Sequence, residues 1–157
     1  MPRWTKWHFL SALVIALDQL SKAWITSAFK LNESMAVSSY FDLVWVYNPG
    51  AAFSFLAQAA GWQRWFFICL GLGISLWIVR MLRQHAQDRL LSAALSLIQG
   101  GALGNVIDRL TQGAVVDFLD FHYASHHFPA FNLADSAISL GVALMLWHSL
   151  ARGDQKE

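Results

Sequence analysis

Apolar residues gather into four stretches along the chain, each long enough to cross a lipid bilayer as a helix. A spanning helix needs about 20 predominantly apolar residues. The stretches that meet this condition are residues 7–27, 62–82, 90–110 and 133–150. Polar residues return between them, and no linker or internal repeat divides the chain into parts. The pattern predicts an all-α membrane protein with four transmembrane helices in a single domain, residues 1–157.

Two of the connecting segments are too long to be simple turns, and both lie on the same side of the four predicted spans. Residues 37–47 and 114–123 are rich in Val, Tyr and Phe, which favour β-strands. Residues 51–60 are small and apolar, which favours a short helix lying on the membrane surface. We therefore expect a small β-sheet and a short surface helix on this side, called the outer side.

The overall composition indicates that lipid is the solvent of this chain. Of its 157 residues, 56% are hydrophobic and only 13% are charged, which is too apolar for an ordinary soluble domain. The net charge of +1, without a run of Lys or Arg, offers no surface for nucleic acid. The single cysteine, Cys69, excludes an internal disulfide and lies in an apolar run, so we expect it to be buried.

Basic residues are distributed unevenly between the two sides of the predicted bundle. One side carries Arg3, Lys6, Arg80, Arg83, Arg89, Arg152 and Lys156, and the other carries only Lys30 and Arg64. Because loops that stay in the cytoplasm are enriched in Lys and Arg, we expect both termini to be cytoplasmic.

Several polar residues fall inside the predicted spans, where a charged side chain costs about 2.5–3.5 kcal/mol even on a lenient insertion scale. They are Asp18 and Lys22 in the first span, Asn105, Asp108 and Arg109 in the third, and Asn132 and Asp135 at the start of the fourth. Because alternate spans run in opposite directions, these positions should agree in depth to within about 10 Å. The sequence therefore predicts one polar site that faces the outer half of the bilayer.

Structural explanations exist for these residues when each is taken alone. Asp18 and Lys22 are four apart on one helix face, so they could form an ion pair that only neutralises itself. Asn132 and Asp135 have the spacing of a helix N-cap followed by an acidic residue in the first turn. Asp117 could be a solvated loop carboxylate. On the residues alone, these alternatives stay open.

Five short blocks of the sequence carry a resemblance to a known family. They are residues 18–22 (DQLSK), 48–53 (NPGAAF), 100–109 (GGALGNVIDR), 116–118 (VDF) and 131–136 (FNLADS). In this order, and together with four spans, they resemble the signature blocks of the lipoprotein signal peptidases, also called type II signal peptidases. The resemblance covers nearly the whole chain, and these blocks show no departure from the family pattern.

The resemblance implies an endopeptidase that removes the signal peptide from bacterial prolipoproteins, cutting just before a cysteine that carries a diacylglyceryl group. The two family aspartates correspond to Asp117 and Asp135. The positions that would bind substrate or support this pair are Asn48, Asn105, Arg109, Asn132, Asp18 and Lys22. It further implies a multi-pass protein of the bacterial inner membrane, with a periplasmic active site, contact with membrane lipid and inhibition by globomycin-type peptide antibiotics.

A pair of carboxyl groups can hydrolyse a peptide bond without a metal or a covalent nucleophile. Two close carboxyl groups cannot both ionise comfortably, so one accepts a proton from water while the other holds a proton for the scissile carbonyl. We therefore expect an aspartic endopeptidase that uses no cofactor or metal and acts as a monomer. Arg109 is expected to pair with Asp108 or to steady the peptide, and Asn48 to bind the substrate backbone. Residues 37–60 are expected to close over the peptide as a flap.

Two other functions are compatible with parts of the sequence. A metalloprotease would use His122, His126 and His127 as ligands, although the chain has no His-Glu-x-x-His helix. A small multi-pass channel or transporter would use the outer-leaflet polar site to line an ion path. Cleavage of a lipidated peptide by the purified protein, in the presence of a strong chelator, distinguishes both from an aspartic peptidase.

Overall fold

The computed structural model of the chain describes residues 2–50 and 61–153. Its helices are α1 (Trp7–Ala28), α2 (Trp62–His85), α3 (Arg89–Thr111) and α4 (Leu133–Gly153). All four are long and apolar enough to cross a membrane. The expectation of four apolar helices is therefore confirmed, with bounds close to those predicted from the sequence.

Helix α3 lies at the centre of the bundle and packs against the other three helices. In its most apolar window 61% of the residues are buried, against 17–28% in the other helices. Small residues allow this close packing: a Cβ added at Gly100 would lie 2.6 Å from the Cβ of Val14 on α1. A Cβ added at Gly141 on α4 would lie 2.7 Å from the carbonyl oxygen of Ala94. Close approach of backbones at small residues is the usual way in which membrane helices associate.

The outer surface of the bundle is apolar, as a lipid-facing surface must be. Leu76 and Leu150 are 73% and 71% exposed, and Trp residues are exposed towards the helix ends at Trp24, Trp62 and Trp147. A soluble protein would not leave so much contiguous apolar surface in water. Cys69 is exposed on α2, so the expectation that it is buried is wrong. An apolar run in a membrane helix faces lipid as readily as it faces the core.

The strands are β1 (Ser34–Ser38), β2 (Phe41–Asn48), β3 (Val115–Tyr123) and β4 (His126–His127), and each pairs with the next in antiparallel fashion. The expected pairing of the two long connections is confirmed by β2 and β3, in which Phe41 lies opposite Phe121. Residues 37–47 form two strands rather than one, because the chain turns at residues 39 and 40. There the backbone N–H of Tyr40 donates to Ser38 Oγ at 3.2 Å, a local bond that competes with a continuous strand.

The sheet lies at the end of the bundle where α1 and α3 finish and where α2 and α4 begin, which we call the sheet end. A cluster of Ile25, Val116 and Phe118 joins β3 to α1 there. The opposite end, called the far end, contains the turn between α2 and α3 and a core that includes Ile78 and Leu95. The surface helix expected over residues 51–60 lies outside the described residues.

Candidate active site

Asp117 lies on β3 and is 2% exposed. Both of its carboxyl oxygens accept hydrogen bonds: Asn48 Nδ2 donates to Oδ2 at 3.0 Å and Asn132 Nδ2 donates to Oδ1 at 2.7 Å. Burial, and after it the nearby charge of Asp135, raise the pKa of Asp117 to about 7, although the two amide hydrogen bonds oppose the rise. The alternative that Asp117 is a solvated loop carboxylate is therefore wrong.

Asp135 lies in the first turn of α4 and exchanges hydrogen bonds with the residue before this helix. Asn132 Oδ1 accepts from the Asp135 N–H at 2.9 Å, while Asp135 Oδ2 accepts from the Asn132 N–H at 3.3 Å. This reciprocal pair is a capping box, so the N-cap alternative is confirmed. The same Asn132 side chain also donates to Asp117. One cap residue therefore contacts both carboxyl groups, and capping does not compete with a role in the site.

Asn105 on α3 links the pair to a buried lysine. Its Nδ2 donates to Asp135 Oδ1 at 2.8 Å, and its Oδ1 accepts from Lys22 Nζ at 3.0 Å. Lys22 Nζ also lies 2.8 Å from Asp18 Oδ2 and 2.8 Å from Asp108 Oδ2. The ion pair expected between Asp18 and Lys22 is thus present, as part of a larger cluster.

Arg109 binds backbone carbonyls rather than the neighbouring Asp108. Its Nη2 donates to Gly50 O at 2.6 Å and its Nη1 to Asn105 O at 3.3 Å. The guanidinium carbon lies 4.9 Å from the centre of the Phe67 ring. Within residues 2–50 and 61–153, its Nε is buried and has no hydrogen-bond partner. Of the two expected roles of Arg109, the pairing with Asp108 is therefore wrong, and the contact with a peptide stays a prediction.

A cavity of about 520 Å³ lies beside these residues. It is lined by Asn48, Gly50, Asn105, Arg109, Val115, Phe128, Pro129, Ala130, Phe131, Asp135, Ser136, Ile138 and Ser139. Its polar wall consists of expected site residues, and its other wall is formed by the loop before α4 and by one face of α4. A space of this size can hold several residues of an extended peptide or a small ligand.

Sequence reasoning did not single out every residue of this cluster. Gln19 Nε2 donates to Asp108 Oδ1 at 2.8 Å and to Asp18 Oδ2 at 3.2 Å, and Asp108 Oδ2 accepts from the Val116 N–H at 3.1 Å. Asp108 was named among the polar residues of the third span, whereas Gln19 was not singled out, although an amide inside an apolar span was an available signal. The loop of residues 128–131, which lines the cavity, carried no such signal because its residues are apolar.

The histidines of the metalloprotease alternative lie on the sheet. His122 Nε2 is 3.1 Å from Asp42 Oδ1, and His127 Nδ1 is 2.9 Å from Asp120 Oδ2. The His122 and His127 rings stack with centres 4.9 Å apart. In the part of the chain that the structure describes, no three His, Cys, Asp or Glu side chains are grouped so as to hold a metal ion.

A bundle that exposes apolar helices and holds carboxyl groups beside a cavity defines the protein first as a multi-pass membrane enzyme. Two solved structures of bacterial membrane enzymes share this fold. One has a TM-score of 0.87 at 30% identity, covering 98% of this chain and 92% of that one. The other has a TM-score of 0.80 at 31% identity and covers 93% of each chain.

The particular family follows from sequence comparison. The family model described as Signal peptidase (SPase) II matches residues 10–151. A lipoprotein signal peptidase of Azoarcus sp. (strain BH72) is 55% identical over 150 residues, which are 96% of this chain and 85% of the relative. One of Burkholderia vietnamiensis (strain G4 / LMG 22486) is 56% identical over 146 residues, 93% of this chain and 88% of the relative. The chain belongs to the lipoprotein signal peptidase family of membrane proteases, which leaves the channel or transporter alternative without support.

Proposed function

We propose that this protein cleaves the signal peptide from diacylglyceryl-modified prolipoproteins, just before the lipidated cysteine, with Asp117 and Asp135 as an aspartic catalytic pair. One observation carries the proposal: two carboxyl groups from different elements, β3 and α4, contact the same residue, Asn132. The Asn132 side-chain amide donates to Asp117 Oδ1, and its backbone N–H donates to Asp135 Oδ2. Asp135 also lines the adjacent cavity. Such an arrangement can bind and activate one water molecule between two carboxyl groups.

Asp117 is the member of the pair that holds the shared proton. Burial and the charge of Asp135 raise its pKa to about 7, so about half of it is protonated at neutral pH and most of it below neutral pH. As the water oxygen attacks the carbon of the scissile carbonyl, Asp135 accepts a proton from the water and Asp117 transfers its proton to the carbonyl oxygen. The resulting tetrahedral diol collapses when the C–N bond breaks and a proton from the pair passes to the leaving amine.

Arg109 and Asn48 hold the substrate backbone beside this pair. The buried Nε of Arg109, which has no partner within residues 2–50 and 61–153, is available to a peptide carbonyl because Arg109 lines the cavity. Asn48 lines the same cavity and already touches Asp117 through Nδ2. Both side chains thus link the position of the bound substrate to the position of the carboxyl pair.

The substrate reaches the site laterally from the outer leaflet of the bacterial inner membrane. Each CH₂ group that stays in hydrocarbon is worth about 0.8 kcal/mol, so the lipid chains of the substrate stay in the bilayer while the peptide enters the cavity. Ile138 and Ser139 on α4 line this cavity from the helical side. A photoreactive group at Ile138 is expected to cross-link to a lipidated substrate, and contacts confined to the sheet would argue against lateral access.

The orientation that puts this site in the periplasm follows from the basic residues. Arg83 and Arg89 lie on either side of the α2–α3 turn at the far end, and Arg3 donates to Gln87 in that turn. The positive-inside rule places this end in the cytoplasm. Labelling of a cysteine introduced in the α2–α3 turn, in a background without Cys69, should require permeabilised inner membranes.

Flap closure, inhibition and the monomeric state complete the proposal. Residues 37–48, of which Asn48 lies in the site, form the described part of the flap. Globomycin-type peptides would occupy the cavity and compete with substrate. We expect these peptides to inhibit competitively. For a monomeric enzyme we also expect that the activity per molecule does not change on dilution in detergent.

The decisive experiment compares Asp117→Asn and Asp135→Asn with Asp88→Asn in a purified, detergent-solubilised assay on a lipidated peptide. Loss of a general acid or base lowers the rate on the order of 10²–10⁴-fold, and we expect this for each site variant. Asp88 also lies at a helix terminus, where it caps α3 and pairs with His148. The Asp88→Asn control is expected to keep its rate. A site variant that inserts normally and cleaves at the wild-type rate rules out the catalytic pair.

A further inference from the structure

A second layer of charges lies behind the carboxyl pair, made of Asp18, Lys22 and Asp108, which we call the Lys22 cluster. Asp18 Oδ1 accepts a hydrogen bond from the backbone N–H of Ala134 at 3.0 Å. Asp108 Oδ2 accepts one from the backbone N–H of Val116 at 3.1 Å. Ala134 and Val116 each stand immediately before one aspartate of the pair. Each carboxylate of the cluster therefore holds the backbone one residue away from an active-site carboxyl.

One cation connects these two anchors. Lys22 Nζ lies 2.8 Å from Asp18 Oδ2 and 2.8 Å from Asp108 Oδ2. Gln19 Nε2 adds a second bridge, donating to Asp108 Oδ1 at 2.8 Å and to Asp18 Oδ2 at 3.2 Å. The three charged side chains are no more than 2% exposed, so neither water nor salt screens them. The two anchors consequently behave as one unit.

A third contact reaches the pair through a side chain. Lys22 Nζ donates to Asn105 Oδ1 at 3.0 Å, and Asn105 Nδ2 donates to Asp135 Oδ1 at 2.8 Å. Because the ammonium group can only donate, it turns the oxygen of Asn105 towards itself and the amide NH₂ towards Asp135. The cluster thereby sets which end of Asn105 meets the carboxyl group.

Stability alone does not account for such a cluster. A buried ion pair is often no better for stability than apolar residues of the same volume. What the cluster joins is specific: strand β3 at Val116 and helix α4 at Ala134, which meet only in the folded bundle. We propose that the Lys22 cluster is a positioning device that sets the separation of the Asp117 and Asp135 carboxyl groups, a role that rests on the proposed function of this pair.

Two kinetic consequences follow from this role. A misplacement of about 1 Å in an active site can cost on the order of 10²-fold in rate, so loss of an anchor lowers kcat and leaves KM nearly unchanged. Two like charges that move apart also repel less, so the acidic and alkaline limbs of the pH–rate profile approach each other. A residue with a merely structural role would reduce the amount of folded enzyme without narrowing the profile.

The test compares Asp108→Ala with Asp88→Ala, two truncations on helix α3. Asp88 also accepts from a backbone N–H, that of Leu91 at 3.1 Å, and pairs with a basic side chain, His148 at 2.6 Å. We expect Asp108→Ala to lower kcat at least about tenfold, to leave KM within about twofold and to narrow the pH profile. Asp108→Asn keeps an oxygen for the Val116 N–H and should recover part of kcat. Asp88→Ala should leave all three quantities near the wild-type values.

If Asp108→Ala does not fold, a second pair of variants tests the positioning role of the Lys22 cluster. Gly104→Ala adds a Cβ that would lie 2.6 Å from Asp18 Oδ2, whereas Gly73→Ala on α2 adds one that meets nothing within 4 Å. Both changes replace glycine by a residue that favours the helix, so both proteins should insert. Gly104→Ala displaces the Asp18 carboxylate from the Ala134 N–H and should lower kcat at least about fivefold, with a narrower pH profile, while Gly73→Ala keeps both.

The two proposals fail in distinguishable ways in this assay. If Asp117→Asn is inactive but Gly104→Ala and any folded Asp108→Ala show the wild-type kcat and pH profile, the positioning role is overturned while the catalytic pair stands. If Asp117→Asn remains active, the catalytic pair itself is wrong. A fall in kcat that Asp88→Ala or Gly73→Ala reproduces would also overturn the positioning role.

Discussion

The half of the bundle next to the sheet end, called the sheet half, buries polar side chains of one kind. The half next to the far end, called the far half, buries polar side chains of a different kind. The far half contains neutral groups that bind backbone carbonyls of neighbouring helices. Ser11 Oγ donates to Ser96 O at 3.0 Å, and Gln99 Nε2 donates to Ser75 O at 3.3 Å. These bonds join α1, α2 and α3 without placing any charge in the membrane.

The sheet half instead buries full charges on neighbouring helices. Asp18, Lys22, Asp108 and Arg109 are all buried there, at a depth where each charge is costly. Neutral residues join α1, α2 and α3 in the far half, so charges are not required merely to pack these helices. The difference indicates that the sheet half carries its charges for the site, and the largest effects of mutation should fall there.

The largest difference in stability is expected between Lys22→Met and Gln99→Leu. The first leaves the two carboxylates of the Lys22 cluster without their shared cation, and breaking a buried pair costs about 3–5 kcal/mol. The second leaves neutral groups unsatisfied, which costs about 1–3 kcal/mol. Reversible unfolding in mixed micelles measures both free energies. Equal losses in the two variants would remove the distinction between the two halves.

The pH dependence of stability should report on Asp117. Its pKa is raised from 3.8 to about 7, chiefly by burial, so the folded protein binds a proton that the unfolded chain has already lost. Stability from this group is therefore fully present below about pH 4 and is lost as the pH rises to about 7, by on the order of 4 kcal/mol.

Replacement of Asp117 by Asn removes the titrating group and provides the control for this prediction. The melting temperature of the wild type should fall more steeply between pH 4 and pH 8 than that of Asp117→Asn. Two parallel curves would show that Asp117 does not change its protonation state over this range.

The smallest effect is expected from Ser96→Ala in the far half. Ser96 Oγ donates to Ser92 O at 2.7 Å within α3, so its loss leaves the helix backbone bonds intact. Hydrogen bonds of this kind in membrane helices contribute about 0.6 kcal/mol on average. Activity should be unchanged in the lipidated-peptide assay. A loss comparable with that of Lys22→Met would mean that polar groups matter equally in both halves.

Local chemistry made several features of the fold predictable. The capping box of Asn132 and Asp135 depends on a spacing of three residues, which is visible in any linear sequence. The turn after Ser38 was not predicted because Val37, Tyr40 and Phe41 favour strands, and the break depends on one side-chain bond to Tyr40. Local patterns therefore located the elements better than their ends.

The contacts of the candidate site were predictable only in part. Their positions in the spans predicted that Asp18, Lys22 and Asn105 lie at the same depth. In the structure these three side chains are joined by hydrogen bonds. Pairing with Asp108 was one of the two expectations for Arg109, and it is the one that the structure contradicts. Adjacent residues of a helix point about 100° apart, so Asp108 turns to Lys22 while Arg109 turns to Gly50.

The order of apolar and polar residues by itself determined four apolar helices, a sheet formed by the segments that connect them, and a polar zone near one end of the bundle. These properties depend only on the spacing of residues along the chain. Only the tertiary structure decided that Val116 and Ala134 are held by two carboxylates that share one lysine. Contacts between residues far apart in sequence depend on how the helices rotate and pack. Hydrophobic pattern constrains that rotation weakly, because lipid and protein interior are both apolar.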